Sequence, residues 1–388
     1  MTRQTHTKVY VEASVLTADH VSGVGHVLLN TLQHWYGDTG KRAVCEPVLL
    51  VPYDKLGKIK SFAFAGDDGF KVRTIPIPDK IFRALRKFNL LPPLDVLFGK
   101  GVYIFPNYWN WPVVRSKSIT YVYDLGFVTH PEFVSPRNRH FLASHIATWL
   151  KRSDLVITDS KFVEGELETA YSAIIKQIAV VYNGVDIKED IPTKEEVASA
   201  KERYGITGEY VLFVSNIEPR KNINSLIAAY QMMSQELKKV YSLVLVGSDG
   251  WMNEPILDAI ANAQKAGAHV LKVKKFVPDA DLALLYSGAT LLVHPALYEG
   301  FGMTPLEAMC HGVPVAVADN SAIPEVVGDA GVYFNAQDVP SIANAMTSVL
   351  EDESLRRKLS VAGNKRARLF TWDKAVEQLI DCIERVTT

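Results

Sequence analysis

The chain runs to 388 residues, 48% of them hydrophobic and 22% charged, which exceeds one comfortable core and suits two domains of roughly 180 to 200 residues. A formal net charge of −1 gives no global attraction to nucleic acid or to an anionic membrane, so any such attraction has to be local. Cys45, Cys310 and Cys382 are odd in number and widely spaced, matching neither a disulfide framework nor a zinc pattern, and they predict a reducing compartment.

The polar stretch Met1 to Lys8 carries no secretory h-region, and no window of about 18 uncharged apolar residues follows, so a cytoplasmic protein is expected. Val9-Tyr10-Val11 reads as a first strand. Ser22-Gly23-Val24-Gly25-His26 then precedes the apolar pattern Val27, Leu28, Leu32 of a helix. This Gly-x-Gly suggests a dinucleotide fingerprint, but its third glycine would fall at Leu28, and Glu46 precedes the second strand instead of closing it. Both departures argue against NAD. Lys80 to Phe88 combines four basic residues with an apolar stripe; a core-packed helix with a solvated basic face is the first reading, a membrane-surface helix the second.

Short apolar runs at Val48 to Val51, Ile119 to Tyr123, Leu155 to Thr158 and Ala179 to Tyr182 alternate with helical patterns, which indicates βαβ units and a mainly parallel sheet. The alternation breaks at the charged, helical stretch Lys188 to Arg203 and resumes at Val211 to Val214, so a boundary is placed near residue 187. The second series continues through Ser242 to Val246, Val270 to Val273, Thr290 to His294 and Val313 to Val317. Helical spacing returns from Trp372 to Val386. The divisions are therefore 1–187, 188–370 and 371–388.

Ligands of open α/β sheets bind outside the carboxyl ends of the strands, and four such corners carry candidate chemistry. Tyr123-Asp124 follows the strand ending near Tyr123; Asp124 is read equally as a ligand contact and as a turn-stabilising residue before Gly126. Glu218-Pro219-Arg220-Lys221-Asn222 places two cations beyond the strand Val211 to Val214, where they could stabilise an anion; a solvated pair capping the next helix is the second reading. Asp279-Ala280-Asp281 invites a metal, yet its place before Leu282, Leu284 and Leu285 favours a helix N-cap. Glu299-Gly300-Phe301-Gly302-Met303-Thr304-Pro305-Leu306-Glu307 sets two carboxylates eight positions apart around a glycine turn. In it Thr304 is expected at the N-cap, Pro305 at the first helical position and Glu307 at the third, a capping box whose free N–H groups would favour an anion.

The Glu-x7-Glu run, the Glu-Pro-Arg-Lys-Asn corner, the turn Asn183-Gly184-Val185-Asp186 and Asn320-Ser321-Ala322-Ile323-Pro324-Glu325-Val326 together resemble retaining glycosyltransferases of family 4. The resemblance covers nearly the whole chain. It implies the α/β GT-B fold: two Rossmann-like domains with parallel sheets facing a cleft, acceptor in the first, nucleotide sugar in the second, and a last helix crossing back to the first. It implies catalytic roles for Glu299, Asp124, Arg220 and Lys221. Donor contacts are implied for Gly23, Gly25, Arg220, Lys221, Gly247, Phe276, Val277, Glu299, Phe301, Gly302, Met303, Thr304 and Glu307, with Glu299 on sugar hydroxyls and Glu307 on the ribose. His26, Tyr123 and Asp124 are implied on the acceptor side, where relatives often carry arginine for His26 and histidine for Tyr123. Ser215 stands where many relatives have a further arginine.

No metal and no cofactor are implied. The expected reaction moves a hexose, mannose by the wording of the motifs, from a nucleoside diphosphate sugar such as GDP-mannose to a glycan or lipid-linked acceptor in surface polysaccharide synthesis. Nucleic acid is not an expected partner, and peripheral membrane association rests on residues 80–88 alone. The alternatives are a nucleotide-sugar epimerase of the same architecture and a nucleotide-sugar-binding protein without turnover.

Overall fold

A computed structural model describes residues 8–18, 21–66, 68–88, 90–187 and 192–388. The polar Met1 to Thr7 and the first part of the charged stretch, Lys188 to Ile191, lie outside the described residues. The chain forms two compact units, Met1–Val128 with Pro136–Gly184 and Trp372–Thr388, and Thr129–Ser135 with Val185–Thr371.

The first unit is built on a parallel sheet of β1 (Val9–Glu12), β2 (Pro47–Pro52), β3 (Val72–Ile75), β4 (Val102–Phe105), β5 (Lys117–Tyr121), β6 (Leu155–Thr158) and β7 (Ile178–Val180), in the order β3-β2-β1-β4-β5-β6-β7. The second holds β8 (Glu209–Val214), β9 (Tyr241–Val246), β10 (Val270–Lys272), β11 (Leu291–His294), β12 (Val315–Ala318) and β13 (Gly331–Phe334), in the order β10-β9-β8-β11-β12-β13. Every strand pairing among the described residues is parallel. Parallel sheets are covered on both faces, which is why their central strands read as unbroken apolar runs. Tyr210 to Phe213, Leu243 to Leu245 and Leu291 to Val293 are all fully buried.

In both sheets the strand order reverses beside the first strand of the unit, between β1 and β4 and between β8 and β11. Such a switch point leaves a crevice at the carboxyl ends of the two strands. The loops that matter below leave β8 and β11.

The helices used below are α1 (Gly23–Gly37), α2 (Asp79–Lys87) and α3 (Pro136–Arg152) in the first unit, and α4 (Lys194–Arg203), α5 (Asp279–Ser287) and α6 (Met303–Cys310) in the second. The last helix, α7 (Trp372–Thr387), belongs to the first unit and packs against α1. Its buried side chains Trp372, Ala375, Val376, Leu379, Ile380, Ile383 and Val386 recur at helical spacing, the stripe needed to hold it there.

One glycine fixes how closely the ends of β8 and β9 approach. Gly247 has φ 152°, and a Cβ built on it would lie 1.8 Å from the Ser215 carbonyl oxygen. Adjacent Ser215 donates its N–H to the Val246 carbonyl at 3.0 Å, so the backbone cannot retreat without breaking the ladder. Gly247→Ala should therefore destabilise the protein by about 2–4 kcal/mol from overpacking plus positive-φ strain. Urea unfolding measures it, and a loss below about 0.5 kcal/mol, the scale of an ordinary surface change, would show that the strand ends separate freely.

Candidate active site

The loop leaving β8 turns through a short 3₁₀ segment, Pro219–Lys221, and ends on Asn222 in the left-handed conformation with φ 56°. Asn222 can hold that conformation because its side-chain amide donates to the carbonyls of Pro295 at 3.2 Å and Ala336 at 2.7 Å. The loop leaving β11 lies alongside, joined by the Leu297 N–H to the Arg220 carbonyl at 2.9 Å and by Arg220 Nη1 to the Tyr298 carbonyl at 2.8 Å. Side chains from both loops meet at Glu299. Arg220 Nη1 donates to its Oε2 at 2.9 Å, Lys221 Nζ donates to Oε1, and His294 Nε2 approaches Oε1 at 3.1 Å.

Lys221, His294 and Glu299 are all buried. Burial alone would raise the Glu299 carboxyl, but the Arg220 and Lys221 charges and the His294 hydrogen bond hold it well below the usual carboxylate range. It is an anion. Burial lowers His294 despite the neighbouring carboxylate, so the ring is neutral with its proton on Nε2, facing Glu299. The buried Nδ1 has no partner and then carries a lone pair instead of an orphaned N–H. The basic pair is thus not a solvated helix cap: it is half of a charge cluster around one carboxylate.

The glycine turn corrects the expected capping box. Helix α6 begins at Met303, with Gly302 at the N-cap and φ 111°, two residues before Pro305, the expected first position. Thr304 donates its hydroxyl to the Val214 carbonyl at 3.3 Å, fastening the helix start to the end of β8. Glu307 makes no cap either; it accepts from the Tyr286 hydroxyl at 2.7 Å. Burial pushes the half-buried Glu307 carboxyl up to about 7, against the Tyr286 hydrogen bond, with Asp279 adding to the rise. Met303 and Thr304 supply first-turn N–H groups with no acceptor inside the helix. Phe301 turns its ring inward against Phe370, centroids 5.9 Å apart.

Asp279 and Asp281 are also not N-caps. Pro278 occupies that position, and both acids lie in the first turn of α5, where the helix dipole favours them. Asp281 binds Arg203 and the Tyr204 hydroxyl at the end of α4. Phe276 is 76% exposed and Val277 half-buried, on the loop before α5, and neither is brought into the Glu299 cluster.

In the first unit, Ser22 caps α1 by accepting from the Gly25 N–H at 3.3 Å. Gly23 is exposed and Gly25 buried, with His26 half-buried one residue on. Tyr123 stacks with Tyr121 at 5.7 Å, and burial keeps its hydroxyl protonated well past the usual tyrosine range. Asp124 Oδ1 accepts from the Gly126 N–H at 3.1 Å, the turn-stabilising bond, which leaves its second oxygen for other partners.

Residues 196–366 match the family described as "Glycosyl transferases group 1". Over 282 residues, 72% of this chain and 73% of the relative, the chain is 30% identical to the O-antigen chain mannosyltransferase B of Escherichia coli. The chain belongs to the group 1 glycosyltransferases. A serotype-specific mannosyltransferase WbdA of Escherichia coli is 33% identical over 192 residues, half of this chain but only 24% of that protein. Among solved structures, the Anabaena protein HepE, in complex with UDP and glucose, aligns over 98% of this chain and 100% of its own with a TM-score of 0.71 at 16% identity, which supports the shared fold. The chain is accordingly a GT-B enzyme of the family 4 type, and retaining chemistry with a nucleoside diphosphate sugar fits that family.

In this glycosyltransferase, sequence reasoning missed His294 and Tyr286, the partners of the two glutamates. His294 closes β11 and was visible only as a polar residue ending an apolar run. It also missed Glu12, which ends β1 almost fully buried and is pushed up to about 7 by that burial; His130, which sequence alone does not place, packs its ring on Tyr298 at 4.6 Å.

The Glu299 cluster predicts strong coupling. Lys221→Met and Glu299→Gln should each destabilise by about 3 kcal/mol, since each leaves buried charge uncompensated, while the double variant falls short of the sum by about 1–3 kcal/mol. Because the folded-state carboxyl sits well below 4.5, its contribution is fully present above the unfolded value and fades as pH falls through the folded one. The stability gap between the parent and Glu299→Gln should thus be flat near neutrality and narrow only in strong acid. Additive single variants, or a gap that closes near neutrality, would contradict the cluster.

Proposed function

We propose that the protein transfers mannose from a nucleoside diphosphate mannose, GDP-mannose, to a hydroxyl of a glycan or lipid-linked acceptor, with retention of anomeric configuration. The observation that carries the reading is the convergence of Arg220, Lys221, Glu299 and the start of α6 on one sheet crevice. The O-antigen mannosyltransferases among its relatives support the sugar. The first unit takes the acceptor, through His26, Tyr123 and Asp124, and the second holds most of the donor. The enzyme works in the cytoplasm, at the membrane face when its acceptor is lipid-linked.

In this mechanism Glu299 accepts hydrogen bonds from hydroxyls of the transferred sugar while Arg220 and Lys221 hold both that carboxylate and the donor diphosphate. The bond from the anomeric carbon to the β-phosphate oxygen breaks, and negative charge grows on the leaving diphosphate. Fixed cations and the first-turn amides of α6 stabilise that charge in a site already organised around it. The acceptor oxygen bonds to the same face of the anomeric carbon, and its proton passes to the departing phosphate oxygen. Ser215 adds no charge, so Arg220 and Lys221 carry the neutralisation. Gly23, Gly25 and Gly247 let backbone approach the donor, Thr304 holds the α6 start in place, and Phe276 with Val277 borders the base. Family membership favours transfer over epimerisation or binding without turnover.

GDP-mannose at 100 times its dissociation constant should stabilise the protein by about 2.7 kcal/mol, read as a thermal shift against a panel of nucleotide sugars. The product's anomeric proton should show the donor's configuration by NMR. Turnover of another donor with no response to GDP-mannose overturns the sugar, and an inverted product overturns the mechanism.

Glu307 supplies a separate test of the donor side. With its carboxyl near 7, it is about half protonated in the free enzyme at neutral pH, and a ribose hydroxyl donating to it favours the ionised form. Nucleotide binding should then release a fraction of a proton near pH 7 and weaken as pH falls below 7. Calorimetry in buffers of different ionisation enthalpy measures the release, which should vanish in Glu307→Gln. Equal proton release in that variant removes Glu307 from the ribose.

A further inference from the structure

A second cluster of charge lies in the first unit. Helices α2 and α3 border a cavity of about 530 Å³ lined by Arg83, Arg86, Lys87, Arg137, His140 and His145, with Asn138, Phe141 and Ser144 completing the wall. Four fixed cations and two histidines line it, and no carboxylate does. In a chain of net charge −1 that segregation is local and specific. Arg83 is paired with Asp79 at 2.9 Å. Arg86 lies over the Trp109 ring at 4.5 Å and feels the charges of Glu12 and Asp79, yet its Nε is buried without a hydrogen-bond partner. Lys87 and Arg137 have no carboxylate partner among the described residues. Ile81, Phe88 and Leu90 are exposed on and just beyond the same helix.

We propose that this cavity binds phosphate groups, as a phosphate diester or a diphosphate. Guanidinium groups suit phosphate because their N–H forks pair two oxygens at once, and an anion with several acceptor oxygens can satisfy Arg86 Nε while neutralising Lys87 and Arg137. The volume accommodates a diphosphate with part of what it is attached to. Two carriers share this chemistry, a soluble phosphorylated ligand and the headgroup layer of an anionic membrane. For the carrier the inference rests on the proposed acceptor role of the first unit; the anion site itself does not.

The test uses the full chain and the double variant Lys87→Glu with Arg137→Glu, both at exposed surface positions outside the catalytic cluster. Inorganic pyrophosphate is titrated by calorimetry, and phosphatidylcholine vesicles with and without phosphatidylglycerol are used in co-sedimentation at low salt. The parent should bind in at least one arm, with affinity falling as salt rises, and the double variant should lose about tenfold or more, the value of one or two charge-assisted hydrogen bonds. Pyrophosphate binding at Arg220 and Lys221 is separated by repeating the titration with saturating GDP. Transfer to a soluble, phosphate-free acceptor should be unchanged in the variant. Binding of both probes as tightly as the parent overturns the site. Loss of transfer from the parent protein itself would overturn the proposed function and leave the anion site standing.

Discussion

A carboxylate removed from water costs several kcal/mol unless its charge and lone pairs are matched in place, and Glu299 is such a carboxylate. Its partners come from three separate positions: Arg220 and Lys221 beyond β8, and His294 at the end of β11. To bring them together, two loops separated by about 70 residues in sequence have to lie side by side, and the parallel order β8-β11 does that. The remaining features of the crevice follow from keeping this cluster intact. Asn222 adopts a left-handed backbone because two carbonyls reward it there, and Arg220 shares its guanidinium between Glu299 and the carbonyl of Tyr298.

The same arrangement keeps the crevice free of excess charge. Two cations near a single carboxylate, with Glu218 beside Arg220 at 3.1 Å, leave the cluster close to neutral. A buried pair of this kind adds little net stability compared with apolar packing; its retention makes sense as organisation. Donors and charges already aimed into the crevice need not reorganise when charge develops on a leaving group, which is where preorganised electrostatics contribute most.

Much of the fold was legible because parallel strands are buried on both faces. The runs at Val48 to Val51, Ile119 to Tyr123 and Val211 to Val214 could hardly be anything else, and their structural counterparts differ by a residue or two. Edge strands were harder: Val72-Arg73-Thr74-Ile75 has two polar residues at its centre and Gly331-Val332-Tyr333-Phe334 is half-exposed, so neither stands out as a run. The site was legible as motifs but not as a network. Nothing in sequence joins Lys221 to Glu299 or Tyr286 to Glu307, because those bonds exist only once the sheet has formed. Local rules also failed at the helix starts. Thr304 looks like an N-cap, yet Gly302 can take the positive φ that starts α6 earlier, and Asp281 looks like a cap until Arg203 and Tyr204 claim it.

The two glutamates of one nine-residue loop therefore end with opposite electrostatic characters. Glu299 is buried among cations and stays ionised far into acid; Glu307 is turned toward a tyrosine hydroxyl on α5, with no cation beside it, and holds its proton up to about 7. The capping box would have given Glu307 a purely structural reason to be acidic, and its absence removes that reason. A carboxyl that contributes nothing to the helix start, and whose burial opposes its ionisation, is costly to the fold unless something outside the free protein uses it. A donor hydroxyl group directed at that oxygen is the kind of partner that would offset the cost, because it favours the charged form that burial disfavours. Glu299 completes the protein's own charge cluster, whereas Glu307 stands outside it with the Tyr286 hydroxyl as its partner.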